Sequence, residues 1–110
     1  MERKVDILQG TLDLMVLRAL ASIGPQHGYA IAARLEQVSE GAIQLNMGTL
    51  YPALMRLERG RFIRGAWGVT ENKRRARLYE LTKSGRRHME AEKENWLQMA
   101  ALMAKVLAES

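Results

Sequence analysis

The sequence predicts a mainly α fold with one small β-hairpin and a long terminal helix. Three observations predict it. Apolar residues recur at helical spacing in three segments before residue 60. Two alternating runs between residues 62 and 82 bracket a polar turn. A seven-residue apolar repeat then runs from residue 89 almost to the end. At 110 residues and 47% hydrophobic content, the chain can bury one small core.

The first helix is expected over residues 11–21, where Leu12, Met15, Val16, Ala19 and Leu20 form a stripe that Leu14 and Leu17 widen. So apolar a segment belongs at the centre of the core. Gly24-Pro25 ends it, because proline cannot continue the hydrogen-bond ladder. A second helix follows over residues 28–38, with Tyr29, Ile31, Ala32, Leu35 and Val38 on its apolar face, and Ser39-Glu40-Gly41 breaks it. Residues 42–45 read as a brief extended connection. The third helix starts near Gly48, capped by Asn46 or Gly48, so that Pro52 falls close to the first turn. Leu50, Ala53, Leu54 and Leu57 share its inner face, and Gly60 stops it.

The hairpin pairs residues 62–70 with 75–82 around Glu71-Asn72-Lys73-Arg74. A lone hairpin is unstable in water, so its apolar positions must lean on the helices while its tip stays exposed. Thr82 can cap the last helix, expected over 83–107. There Met89, Trp96 and Met103 recur every seven residues, with Met99, Val106 and Leu107 beside them. That helix is too apolar to stand alone and calls for a partner surface.

The charge is local. Residues 56–87 hold eleven Lys/Arg against three acids, net +8, whereas the rest of the chain is net −3 within a total of +5. A helix-turn-helix followed by a basic hairpin is the pair of parts that a winged helix lays on DNA, and the cationic stretch points to a polyanion. Lys73, Arg74, Arg75 and Arg77 are the candidate phosphate contacts, since each such contact releases counterions whatever the sequence. Asn46, Thr49, Tyr51 and Arg56 are the exposed polar candidates on the third helix. Asn and Arg can read base edges, Thr and Tyr can donate to phosphates, and Arg56 can equally salt-bridge within the fold. The rival reading is a winged helix docking its basic hairpin on an acidic protein partner.

Other classes are poorly supplied. With no Cys there is no thiolate nucleophile or thiolate metal ligand, and His27 and His88 lack neighbouring ligand clusters, so no metal, cofactor or enzymatic activity is expected. No nucleophile elbow or phosphate-cradling glycine loop is present. No apolar run has the length of a membrane span and residues 1–6 lack a signal-peptide core, so a cytoplasmic protein without membrane contact is expected.

Four ordered blocks carry a family resemblance. Leu8-Gln9-Gly10-Thr11-Leu12-Asp13-Leu14, His27-Gly28-Tyr29-Ala30-Ile31, Gly48-Thr49-Leu50-Tyr51-Pro52-Ala53-Leu54 and Tyr79-Glu80-Leu81-Thr82-Lys83-Ser84-Gly85 resemble the PadR family of bacterial transcriptional regulators over residues 8–107. Trp67-Gly68 before the wing is similar to the short subfamily with one C-terminal helix. The resemblance implies a homodimeric repressor on a palindromic double-stranded operator. Thr49 and Tyr51 match the DNA-facing helix, and residues 73–77 match the wing. Some members are released by small aromatic or hydrophobic effectors. Residues 1–82 are thus expected to form a winged helix-turn-helix, and residues 83–110 a dimerisation helix joining protomers through Met89, Trp96, Met99, Met103, Val106 and Leu107. Trp96 reads either as interface core or as one wall of an aromatic slot.

Overall fold

The computed structural model describes residues 9–69 and 72–109. Its elements are α1 (Gln9–Ile23), β1 (Gln26–His27), α2 (Gly28–Val38), α3 (Met47–Arg59), β2 (Ile63–Val69), β3 (Arg75–Leu81) and α4 (Lys83–Ala108). The predicted mainly α fold with its hairpin is what forms. Thr70 at the end of the first predicted strand, Glu71 of the predicted turn, Leu8 of the first resembling block, and the outer ends of both predicted domains lie outside the described residues.

Helix α1 is the axle of the core. Its Leu12, Val16, Leu17, Ala19 and Leu20 are buried together with Ile31 and Leu35 of α2, the inner stripe of α3, Ile63, Tyr79 and Met89. Helix α1 therefore touches α2, α3, α4 and β3, as its all-round apolarity requires. Gly24, with φ +79°, turns the chain out of α1. After Pro25, Gln26 and His27 form a strand absent from the periodicity. Gln26 pairs with Tyr79 and His27 with Leu78, making a three-stranded antiparallel sheet in the order β1-β3-β2.

The α2–α3 connection holds its shape through local bonds. Gly41 N–H closes on the Glu36 carbonyl at 2.9 Å, and Ser39 Oγ accepts from Ile43 N–H at 2.9 Å. Asn46, rather than Gly48, caps α3: its Oδ1 accepts from Thr49 N–H at 2.9 Å. The helix thus begins one residue earlier than expected and keeps Pro52 inside it. At the far end, Gly60 follows the last helical residue with an ordinary helical φ of −78°, and the left-handed turn falls on Arg61, at φ +64°. Phe62 explains part of this placement, because a Cβ at residue 60 would sit 2.9 Å from its ring.

Thr82 joins α4 to the rest. Its Oγ1 accepts from Gly85 N–H at 2.9 Å, while the hydroxyl donates towards the Arg61 and Phe62 carbonyls at 2.8 and 3.1 Å. The Phe62 ring stacks on His88, 4.0 Å between centroids. Helix α4 is thereby locked to the α3–β2 corner before it leaves the body. Met89 was expected in a seam between protomers; instead it is 1% exposed in the core of its own chain. From Trp96 onwards the apolar side chains are exposed: Trp96, Leu97, Met99, Leu102, Met103, Val106 and Leu107.

Among the glycines described, Gly85 carries the tightest approach, since a Cβ there would overlap the Phe62 carbonyl oxygen and crowd Leu81. Gly85→Ala is expected to cost about 3 kcal/mol by overpacking, lowering Tm by roughly 10–25 °C. Gly10→Ala, which would meet nothing within 4 Å, serves as the neutral comparison. Thermal denaturation of both variants checks this.

Candidate nucleic-acid interface

The inner face of α3 dictates what its outer face offers. Leu50, Ala53, Leu54 and Leu57 are buried, so Met47, Gly48, Thr49, Tyr51, Pro52, Met55 and Arg59 are left to solvent. Asn46 spends its side-chain oxygen on the cap, which leaves the amide Nδ2 as a donor beside the positive end of the helix dipole. Arg59 and Met55 did not stand out in the sequence. Their exposure follows once the buried stripe is known.

Arg56 makes a salt bridge, but with a partner the sequence does not suggest. It points to α1, donating to both oxygens of Asp13 at 2.8 and 3.3 Å. The hydrogen bond to Asp13 holds its guanidinium above the ordinary arginine range, against the opposing effect of burial. Two other ion pairs form among the described residues: Arg64 with Glu80 across the outer face of the hairpin, and Arg77 of the wing with Glu58 of α3.

The hairpin register sets the direction of its arginines. Ile63, Gly65, Trp67 and Val69 lie opposite Leu81, Tyr79, Arg77 and Arg75, so these eight share one face of the sheet. That face is buried at its base, at Ile63 and Tyr79, and runs out to Trp67, Arg75 and Arg77 near the tip. Trp67, whose alternation suggests a packed position, is 57% exposed and lies under two guanidiniums, those of Arg75 at 4.8 Å and Arg77 at 5.4 Å from the ring centre. Lys73 occupies the turn with φ +59° and is exposed. Arg74 is exposed beside it.

Between α3 and the wing lies a concave surface of about 290 Å³, lined by His27, Tyr29, Met47, Tyr51, Trp67, Arg77 and Tyr79. His27 and Tyr29 stack there, 5.7 Å between ring centres. His27 Nδ1 sits 3.0 Å from the Arg77 carbonyl, an acceptor, so this ring nitrogen carries the proton. Burial pushes the Tyr79 phenol above its usual range; Tyr51 adds to this and Arg77 opposes it. Of the predicted residues, Tyr51 and Arg77 line this surface and Arg75 rests on the Trp67 ring at its edge, while Asn46 and Thr49 are exposed at the start of α3 and Lys73 and Arg74 are exposed at the hairpin turn. Arg56 is turned away to α1, and Arg77 is drawn in against α3.

This arrangement coincides with similarity to known proteins. A family model described as "Transcriptional regulator PadR-like family" matches residues 16–91. The chain belongs to the PadR-like family of transcriptional regulators. Among solved structures, a transcriptional regulator from Clostridium thermocellum superimposes with a TM-score of 0.81 at 27% identity, covering 92% of this chain and 97% of that one. A PadR family transcriptional regulator from Eggerthella lenta gives 0.78 at 27% identity, covering 93% and 86%. A 37.1 kDa protein of transposon TN4556 from Streptomyces fradiae is 44% identical over 93 residues, or 84% of this chain. The chain spans only 24% of that protein's length. Membership of this family of transcriptional regulators fits the winged helix-turn-helix seen here. Among the described residues no helix is long and apolar enough to cross a membrane, and no cluster of three metal-ligating side chains occurs.

The exposed wing cations generate a prediction for this PadR-type domain. The double charge reversal Lys73→Glu, Arg75→Glu is expected to weaken binding to every duplex by a similar factor and to flatten its salt dependence, because phosphates are shared by all sequences. Fluorescence anisotropy on two unrelated duplexes measures it. Unchanged affinity at low salt would remove the wing from the interface.

Proposed function

We propose that the chain is a homodimeric repressor that binds a palindromic operator in the cytoplasm. In this reading the outer face of α3 enters the major groove with Thr49, Tyr51 and Asn46 leading. The wing lays Lys73, Arg74 and Arg75 along the adjacent backbone. Residues 9–82 form the DNA-binding unit, and α4 supplies the dimer seam through Trp96, Met99, Met103, Val106 and Leu107. Arg56 acts as the anchor of α3 on α1. The reading extends to release by a small hydrophobic or aromatic effector, for which an apolar cleft of about 480 Å³ between α1, α2 and α4, reaching Met89 and Trp96, offers room.

The observation that carries the reading is the surface shared by α3 and the wing, whose hairpin side belongs to the net +8 stretch. The exposed apolar residues of α4 support the dimer: a run of that size is left in water at a cost unless a second copy covers it. Two copies would address successive major grooves about 34–36 Å apart.

Footprinting on genomic fragments is expected to show two symmetric half-sites. For a dimer making about 6–10 phosphate contacts, affinity should fall roughly 10³–10⁵-fold between 50 and 200 mM salt. A linear dependence on log salt without protected half-sites would leave only sequence-independent binding. Tight binding to an acidic protein with none to duplexes would favour the interaction-module reading. Separately, Trp96→Asp with Met103→Asp should give monomers by light scattering, because two carboxylates would enter an apolar seam. A surviving dimer would move the interface elsewhere.

A further inference from the structure

We infer that Glu58 is a positioning residue for DNA recognition: through Arg77 it fixes the wing against α3, and Arg77 serves as a strut and not as a phosphate contact. The inference rests on the DNA-binding reading above and deepens it.

Residue 77 ties together α3, both strands of the hairpin and the start of α2. Its guanidinium donates to Glu58 Oε2 on α3 at 2.5 Å. The same group crosses the sheet over Gly65, where any side chain would collide with it, and lies between the Trp67 and Tyr79 rings at 5.4 and 5.8 Å. Its backbone carbonyl accepts from His27 at the start of α2. Arg77 and Glu58 side chains are 26% and 37% exposed, half-covered and facing each other. Arg75, two residues further out, has no acidic partner among the described residues and rests on Trp67 alone.

Charge separates the two roles. A guanidinium already neutralised by a carboxylate has little positive potential left to release counterions. A phosphate drawn to it would also meet the Glu58 carboxylate. Glu58 lowers the positive potential of the surface that attracts DNA, so on electrostatics alone its removal should tighten binding to any duplex. Whatever Glu58 contributes to recognition therefore acts through geometry. It sets the distance and angle between the helix in one groove and the loop on the neighbouring backbone, and a shift of that angle moves one of the two contacts off its phosphates.

The test uses the full chain, the strongest footprinted site and a shuffled duplex of equal composition. Glu58→Gln is expected to bind the shuffled duplex as tightly as the parent or more so. Its preference for the footprinted site should fall roughly 2- to 30-fold, the range for changes that alter coupling without touching ligand. The neutral double variant Glu58→Gln, Arg77→Gln should show the same loss of preference and keep the parent's salt slope, since the pair it removes carries no net charge. If Arg77 contacts a phosphate, the double variant loses about 0.9 of slope per protomer and the strut is refuted. An undiminished preference in Glu58→Gln refutes it too. Thermal melting confirms that each variant is folded, and a merely structural ion pair would not move the preference of folded protein. A parent chain that shows no preference at all overturns the DNA-binding reading as well, a different result from either of these.

Discussion

Which way the hairpin's arginines face is decided near its base, where Ile63 and Tyr79 are buried against the helices. Strand side chains alternate, so once two positions on one face are committed to the core, every second residue outward must point to the same side. Trp67, Arg75 and Arg77 inherit their direction from that commitment. A slip of β3 by one residue would turn Arg75 and Arg77 to the outer face, where Arg64, Ala66 and Leu78 now lie. The two-residue strand β1 pins β3 from its other edge and helps forbid the slip.

Helix α3 is oriented by the same logic at a different period. Its four buried residues press on α1, and Arg56 clips the adjoining flank to Asp13. What remains exposed is a broad face made of Met47, Gly48, Thr49, Tyr51, Pro52 and Met55, with Arg59 at its far end. The basic stretch is thereby sorted by function. Arg56, Arg64 and Arg77 hold carboxylates and support the architecture, while Lys73 and Arg75 make no ion pair with the described residues. A net charge read from sequence cannot make this distinction. The exposed pair Arg64–Glu80 contributes little to stability, on the order of 0–1 kcal/mol; its effect is to take one cation out of the pool available to DNA.

Much of this was legible in advance because it is local. The bounds of α2, the cap at Thr82, the choice of Asn46 or Gly48 to cap α3, the inner stripe of α3 and the hairpin all follow from signals within one or two turns. What escaped was non-local. The strand β1 has two residues, too few for any period, and exists only because β3 passes beside it. Arg56 and Asp13 are 43 residues apart and Arg77 and Glu58 are 19 apart, so no spacing rule joins them. Met89 fits the seven-residue repeat of α4, yet the first turns of that helix are still packed on the body through Phe62, so its side chain belongs to the chain's own core. Trp67 matched a buried alternation, but the hairpin outruns the helices beneath it, and arginines cover the ring instead.

The chain contains no cysteine, which permits a direct test of the shared face. Single cysteines at Val69, on the face turned to α3, and at Ala66, on the opposite face, start from exposed positions and leave every cation in place. The rate of thiol alkylation with and without the footprinted duplex is the measurement. DNA should slow alkylation at residue 69 strongly and leave residue 66 nearly unchanged. Equal protection of both, or protection of residue 66 alone, would contradict a single recognition face built from α3 and the wing.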